Sequence, residues 1–528
     1  MGERGDGAPA HVRSMAQRAG LVLGLVGFAV VLAAPRLPGL EACAAHALGS
    51  GMDHADAAQV ARGAQATLAL TVLMVVWWVT EAVPLPITAL LPGLMLPLLQ
   101  VSGARGGQLY HFTNTRAFAG YASPVIYLFL AGFVLAAGMR KSGLDRRITL
   151  TFLSWRHAAR GPAALLLTMM GTTAFLSMWI SNTATTAMML PIAVSVLHAI
   201  GEHPGESRMG RAIMLGIAWA ASIGGMATLI GSPPNGIVVG ILRNQGAADI
   251  GFLRWMVFAT PVALLGLVAA WGLLLLRFRP RMTNSHDARS ELAKQKLSLG
   301  AWSRDEVLTV VVFTLVATLW VTQQVWKYVL SPRLVGLLSG FGVYEIGLSC
   351  ALLLFVVPLD LHTWRSVLQW RDSRYIDWGT LVLFGGGISL SNAMFSTGLT
   401  DWLAGGLIDS LGSVTPWVCL VGVVLLVDFL TEITSNTAVT TMMSPILISL
   451  APQLHLDPVM VCVVAAMAAS LAFMLPVATP PNALVYATGY FRIGEMIRAG
   501  FWMNLIGATM LVTMTYLLAG ALVPTVAM

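Results

Sequence analysis

Charge is what this chain has least of. Asp, Glu, Lys and Arg supply 10% of its 528 residues, against 57% hydrophobic residues. With a mean hydropathy of +0.77, the composition lies outside the range of soluble domains. Cysteine is scarce too. Cys43, Cys350, Cys419 and Cys462 show no CxxC spacing and three of them sit in apolar segments, which points to neither disulfides nor a metal centre. No HExxH motif, Ser-His-Asp constellation or His/Asp cluster falls within the apolar runs, and "FGGGI" (384–388) lacks the Lys of a phosphate loop and reads as close helix packing. The chain is therefore not read as an enzyme. The formal charge of +7 does not argue for a nucleic-acid partner either, because the positive residues cluster between apolar segments, where they mark orientation.

What the chain does have is long apolar runs without the alternation of a barrel strand, so the expected fold is an all-α integral membrane protein in the bilayer of the inner (plasma) membrane. About eleven spans are expected from lengths near 20 apolar residues. Arg4, Arg13 and Arg18 precede the run from Leu21 to Ala34 in the manner of a signal peptide, but the next apolar segment follows so soon that a retained first span is simpler. Two segments, 163–199 and 414–450, are too long for one span and have polar centres; they read as re-entrant hairpins. With a cytoplasmic N-terminus and an external C-terminus, 23 of the 31 Lys and Arg fall inside.

The polar centres repeat. "SNTATTAMM" (181–189) is answered by "SNTAVTTMM" (435–443), and "GSPPN" (231–235) by "ATPPN" (478–482). The Met pairs in the first two strings read as packing. Residues 140–160 before the first hairpin carry six Lys or Arg, whereas 396–413 before the second carry none, so the hairpins are expected to enter from opposite sides. That makes the repeat inverted: 1–65 an N-terminal segment, 66–276 the first repeat with a broken helix at 212–240, 277–303 a basic cytoplasmic linker, and 304–528 the second repeat with a broken helix at 458–488.

A hairpin ending at membrane depth leaves amides and carbonyls unpaired, and these persist only where protein or a wet cavity surrounds them. Hydroxyls and Asn amides both donate and accept, so the tips can hold a carboxylate and a hard cation; paired prolines free carbonyls for the cation while a new helix N-terminus faces the anion. No Lys or Arg lies between 161 and 199 or between 402 and 491, so a bound dianion would be neutralised by co-bound cations. Two duplicated donor clusters facing one cavity suit a molecule with a carboxylate at each end, which favours C4 dicarboxylates such as succinate, malate or fumarate over citrate and then sulfate. The competing reading is a proton-coupled carrier using Glu432, with Asp428 one turn earlier; a fixed acceptor of tip amides is the structural alternative for Glu432.

"WWVTEAVPLPITALLP" (77–92), "SPVIYLFLAGF" (123–133) and the duplicated SNT and PPN motifs together resemble the divalent anion/sodium symporter family over nearly the whole chain from residue 66. The resemblance implies an elevator-type homodimer with scaffold and transport domains, carrying dicarboxylates, citrate or sulfate with sodium ions; some members are sodium-independent exchangers. It implies a first sodium site at Ser177, Ser181, Asn182 and Gly231, and a second at Thr431, Thr434, Asn436 and Ala478. Substrate contacts then fall on Ser181, Asn182, Thr183, Ser232, Ser435, Asn436, Thr437, Thr479 and Pro480. Residues 1–65 carry none of the family's motifs.

Overall fold

The structure is a computed structural model and describes residues 14–48, 54–105, 107–155, 160–205, 207–281, 285–329, 331–338, 340–411 and 415–522. Among these, 8 helices are long and apolar enough to cross a membrane, and four shorter apolar helices accompany them. The fold is that of a helical membrane protein, with one departure from all-α. Residues Ser102–Arg105 and Gln108–His111 form a two-stranded antiparallel hairpin, with Arg105 opposite Gln108 and Gly107 at φ +76. Glycine at 107 takes the positive φ that a two-residue turn needs.

Other departures follow from local chemistry. In the N-terminal segment Leu40–Leu48 is helical, and a further helix runs from His54 to Thr80; alanine-rich sequence favours helix even outside an apolar run. The apolar run after it is divided into Leu85–Thr88 and Leu91–Leu98 by prolines that remove amide donors. Pro332–Leu338 and Val343–Val356 are two further separate helices.

The two halves build matched elements. In the first, the hairpin arms are Pro162–Ser177 and Asn182–Ala199, followed by a helix interrupted between Arg208–Met226 and Pro233–Asn244. In the second, the arms are Pro416–Ile433 and Asn436–Gln453, and the interrupted helix is Pro458–Ala468 and Pro480–Tyr486. Each first arm, and every segment after an interruption, starts with Pro at its first turn, where the missing amide costs nothing. Helix Arg208–Met226 is the central pillar: 94% of its most apolar window is buried, against 11% for Met15–Ala33, whose apolar side chains face outward as a lipid-facing helix requires.

Two features lock the pieces in place. Gly386 lies so close to an adjoining chain segment that a Cβ there would stand 1.9 Å from the Ala89 carbonyl oxygen, which explains the glycine run. On the linker side, Arg147 Nε donates to Glu306 Oε1 at 2.6 Å and its guanidinium donates to the carbonyls of Leu299, Gly300 and Ala301, each at 3.1 Å. The charge is thus paired as it leaves water, and it ties the first half to the linker end and to the start of the second half.

Candidate functional site

The first hairpin stops at Ser177, turns through Met178–Ile180, and restarts at Asn182 with Ser181 as N-cap; the Ser181 hydroxyl accepts the Ala184 amide at 3.3 Å. Ser177 Oγ stands 2.6 Å from Asn182 Oδ1 and 2.7 Å from the Ala221 carbonyl oxygen. Three oxygens thus share one hydroxyl proton, which can satisfy only one of the two acceptors at a time. The close approach depends on glycine: a Cβ on Gly225 would lie 2.4 Å from Asn182 Oδ1. Across the interruption, Thr228 Oγ1 donates to the Met178 carbonyl and accepts the Gly231 amide at 3.1 Å. Gly231 sits against the Gly225 and Ser177 carbonyls, where a Cβ would stand 2.6 and 3.0 Å away. Asn235 Nδ2 closes the loop by donating to the carbonyls of Gly225 and Thr228 at 3.0 and 2.7 Å.

The second half repeats this chemistry. Thr431 Oγ1 stands 2.5 Å from Asn436 Oδ1 and 2.9 Å from the Ala469 carbonyl oxygen, again three oxygens with one proton. Thr434 Oγ1 is buried with no hydrogen-bond partner among the described residues. Thr479 Oγ1 accepts the Asn482 amide at 3.3 Å, and Asn482 Nδ2 donates to the carbonyls of Ala472 and Leu475, both at 3.0 Å. Ala478 takes the position that Gly231 holds in the first half.

One arrangement has no counterpart in the first half. Glu432 Oε1 accepts the amides of Phe473 and Met474 at 2.7 and 2.8 Å and Asn504 Nδ2 at 2.8 Å, while Oε2 accepts the Leu475 amide at 3.0 Å. Its acceptors therefore serve the interruption, not the hairpin tip as the sequence suggested. Asp428 is fully buried, and neither of its oxygens has a hydrogen-bond partner among the described residues.

The halves meet crosswise. Arm Asn182–Ala199 packs against Pro480–Tyr486, and arm Asn436–Gln453 packs against Pro233–Asn244. Ser181, Asn182, Ser435 and Asn436 are half-buried, Ser232, Thr437 and Thr479 are buried, and Thr183 and Pro480 are exposed. The first tip is reachable: Ser181 and Ile180 line a cavity of about 330 Å³ whose other walls carry Arg140, Arg146, Asp145 and Asp377. Sequence reasoning did not find the Ala221 and Ala469 carbonyls, which bear no side-chain signal, nor Asn504, which stands alone in an apolar helix. It read Asn235 and Asn482 only as part of a helix-breaking motif; their duplication was the available clue.

Interrupted helices facing hairpin tips across two matched halves define a membrane transporter. The chain belongs to the family described as the sodium:sulfate symporter transmembrane region, whose model matches residues 56–523. It is 34% identical over 469 residues to a sodium-dependent dicarboxylate transporter, SdcS, of Staphylococcus saprophyticus, covering 85% of each chain. It is 35% identical over 463 residues to SdcS proteins of Staphylococcus aureus, again with 85% of each chain covered. Among solved structures, the Alcanivorax borkumensis YdaH transporter superposes with a TM-score of 0.54 at 16% identity, over 86% of this chain and 100% of that one. Neisseria gonorrhoeae MtrF superposes at 0.53 and 15%, over 90% and 96%; both likenesses concern the fold alone.

Proposed function

We propose that the chain is a sodium-coupled symporter of C4 dicarboxylates. The observation that carries this reading is the pair of oxygen triads, Ser177 with Asn182 and Ala221, and Thr431 with Asn436 and Ala469. Each triad gathers a hydroxyl, an Asn side-chain amide and a backbone carbonyl at matching positions in the two halves. With the Asn oxygen turned inward the three oxygens suit a hard monovalent cation. Ser181, Gly231, Thr434 and Ala478 complete the two ion positions. The tip residues Thr183, Ser435 and Thr437, with Ser232, Thr479 and Pro480 beside the interruptions, offer donors to the substrate carboxylates.

Coupling follows from the shared side chains. Asn182 and Asn436 each present Oδ1 to the ion triad and leave Nδ2 for the anion, so either ligand raises the affinity of the other by the same factor. With three or more sodium ions per dianion the cycle moves net positive charge, and the membrane potential contributes about 2.3 kcal/mol per charge per 100 mV. Opposite entry of the two hairpins gives each face of the membrane its own route to one site, and rigid-body movement of the hairpin-bearing part against a dimeric scaffold is the alternating-access step. The proton-coupled alternative through Glu432 is disfavoured because both of its oxygens are engaged by donors.

The test is uptake of labelled succinate in reconstituted vesicles with and without an inward sodium gradient. Sodium-driven accumulation blocked by excess malate and fumarate is expected. Uptake that is indifferent to sodium, or that excess sulfate inhibits while malate and fumarate do not, would overturn the assignment.

A further inference from the structure

Helix Pro233–Asn244 starts at the interruption with Ser232 as its N-cap and runs 12 residues, about 18 Å at 1.5 Å per residue. At its far end a cavity of about 790 Å³ opens between this helix terminus, the 102–111 strand hairpin and the end of helix Trp378–Ser396. Arg105, Arg116 and Arg243 line it, and among the described residues lining it there is no Asp or Glu. Asp249 and Glu345 lie near enough to Tyr344 to act on it electrostatically, but neither is part of the cavity wall.

The arginines are held in a particular way. The Arg116 guanidinium carbon lies 4.2 Å from the Tyr110 ring centroid and that of Arg243 lies 4.6 Å from Tyr344. Stacking uses the faces of the guanidinium planes, so Arg116 keeps N–H edges for an acceptor, while Arg243 also engages the Tyr344 hydroxyl with part of its edge. Arg243 Nη1 is buried and has no hydrogen-bond partner among the described residues. A desolvated donor left unpaired is costly, and an anion is the ligand that relieves it. The cavity is also far larger than a C4 dicarboxylate, so it can concentrate anions without fixing one pose. It joins the two parts of the molecule that Gln245 Nε2 and Asn392 Oδ1 bridge at 3.3 Å.

We propose that this cavity is a vestibule for small dianions on the face opposite the basic linker, where carboxylates pair with the arginine edges before reaching the hairpin tips. The inference rests on the dicarboxylate reading above and adds the place of capture. A low-dielectric cleft lined by one sign of charge raises the local concentration and encounter rate of the opposite ion.

The experiment uses right-side-out vesicles of the full chain, labelled succinate and constant sodium, with ionic strength raised by choline chloride. In the unaltered protein, apparent KM should rise with ionic strength. In the triple variant Arg105→Gln, Arg116→Gln, Arg243→Gln, KM at low ionic strength should rise by roughly tenfold, within the range for electrostatic steering. Its salt dependence should flatten and its maximal rate should hold. Lysine at the same three positions should restore most of the salt dependence. Efflux from preloaded vesicles should keep its KM. An unchanged KM and salt slope in the triple glutamine variant overturns the vestibule, as does a fall in maximal rate at constant KM, which would assign the arginines to holding the strand hairpin. Absence of sodium-driven succinate uptake in the unaltered protein would instead defeat the functional reading.

Discussion

Glu432→Gln separates a structural carboxylate from a proton carrier. In the native arrangement Oε1 accepts two backbone amides and Asn504 Nδ2, and Oε2 accepts the Leu475 amide, at distances from 2.7 to 3.0 Å. Glutamine keeps one acceptor oxygen. The orientation that loses least keeps it on the three donors of Oε1 and turns its NH₂ toward the Leu475 amide, so one bond to a charged acceptor disappears and two donors face each other. Loss of such a bond costs about 1.5–3 kcal/mol, which is roughly a 10- to 150-fold fall in the population of the ordered interruption at 1.4 kcal/mol per tenfold. Ala469 and Ala478 belong to this same interruption, so the proposed second ion position weakens with it. The expected outcome is a lower thermal midpoint in detergent and a sodium concentration for half-maximal succinate uptake raised by about tenfold, with the pH profile of uptake between pH 6 and 8 unchanged in shape. A variant that keeps native stability and sodium affinity but loses a pH-dependent component of uptake would refute the structural role and make Glu432 a proton carrier.

The other substitutions probe the matched chemistry. Asn182→Ala and Asn436→Ala should each abolish sodium-dependent uptake while membrane insertion, followed by immunoblot of the membrane fraction, stays normal; sodium dependence near normal in both would remove the triads from the ion sites. Asn235→Ala leaves the Gly225 and Thr228 carbonyls unpaired and should destabilise by about 2–4 kcal/mol, whereas Asn482→Ala leaves only the Ala472 carbonyl unpaired, because the Leu475 carbonyl keeps the Ala478 amide, and should cost about 1–3 kcal/mol; both are read as a drop in thermal midpoint that saturating sodium and succinate only partly restore. Cysteine at Gly205 should react with impermeant thiol reagents from the cytoplasmic side alone and cysteine at Gln453 from the external side alone, since the flanking charge differs so sharply; labelling of both from one side would contradict the inverted repeat.

The sequence made the hairpins and interruptions legible because their signals are local and occur twice. Polar Ser-Asn-Thr in an apolar field and Pro-Pro in a span each leave backbone groups unpaired at membrane depth, and both copies fold as helix, tip and helix or as an interrupted helix. What could not be read depends on contacts distant in the chain. The Ala221 and Ala469 carbonyls become ligand candidates only because Ser177 and Thr431 pack against those turns, 44 and 38 residues later. The donors that fill Glu432 come from 473–475 and from Asn504, 72 residues on, so a motif centred on the tip directed attention to the wrong amides. The strand hairpin escaped because a short pair of strands between apolar helices has no periodicity strong enough to separate it from loop.

The halves share a plan but not a stiffness. Beyond the Asn that closes each interruption, the second is fastened by a carboxylate taking three amides and Asn504, and the first by neutral donors alone: the Thr228 hydroxyl between the Met178 carbonyl and the Gly231 amide, and Trp255 Nε1 and Thr260 Oγ1 on the Met226 and Ala227 carbonyls. Bonds to an ionised group contribute about twice what neutral ones do, so spontaneous opening is rarer near 473–475 than near 228–231. Hydrogen exchange should therefore be slower at the amides of Phe473, Met474 and Leu475 than at Gly231. On the proposed sodium sites, the position beside Ser177 rests on the looser interruption, so its ion is expected to leave first and the one beside Thr431 second, an order of unloading that two equal halves would lack.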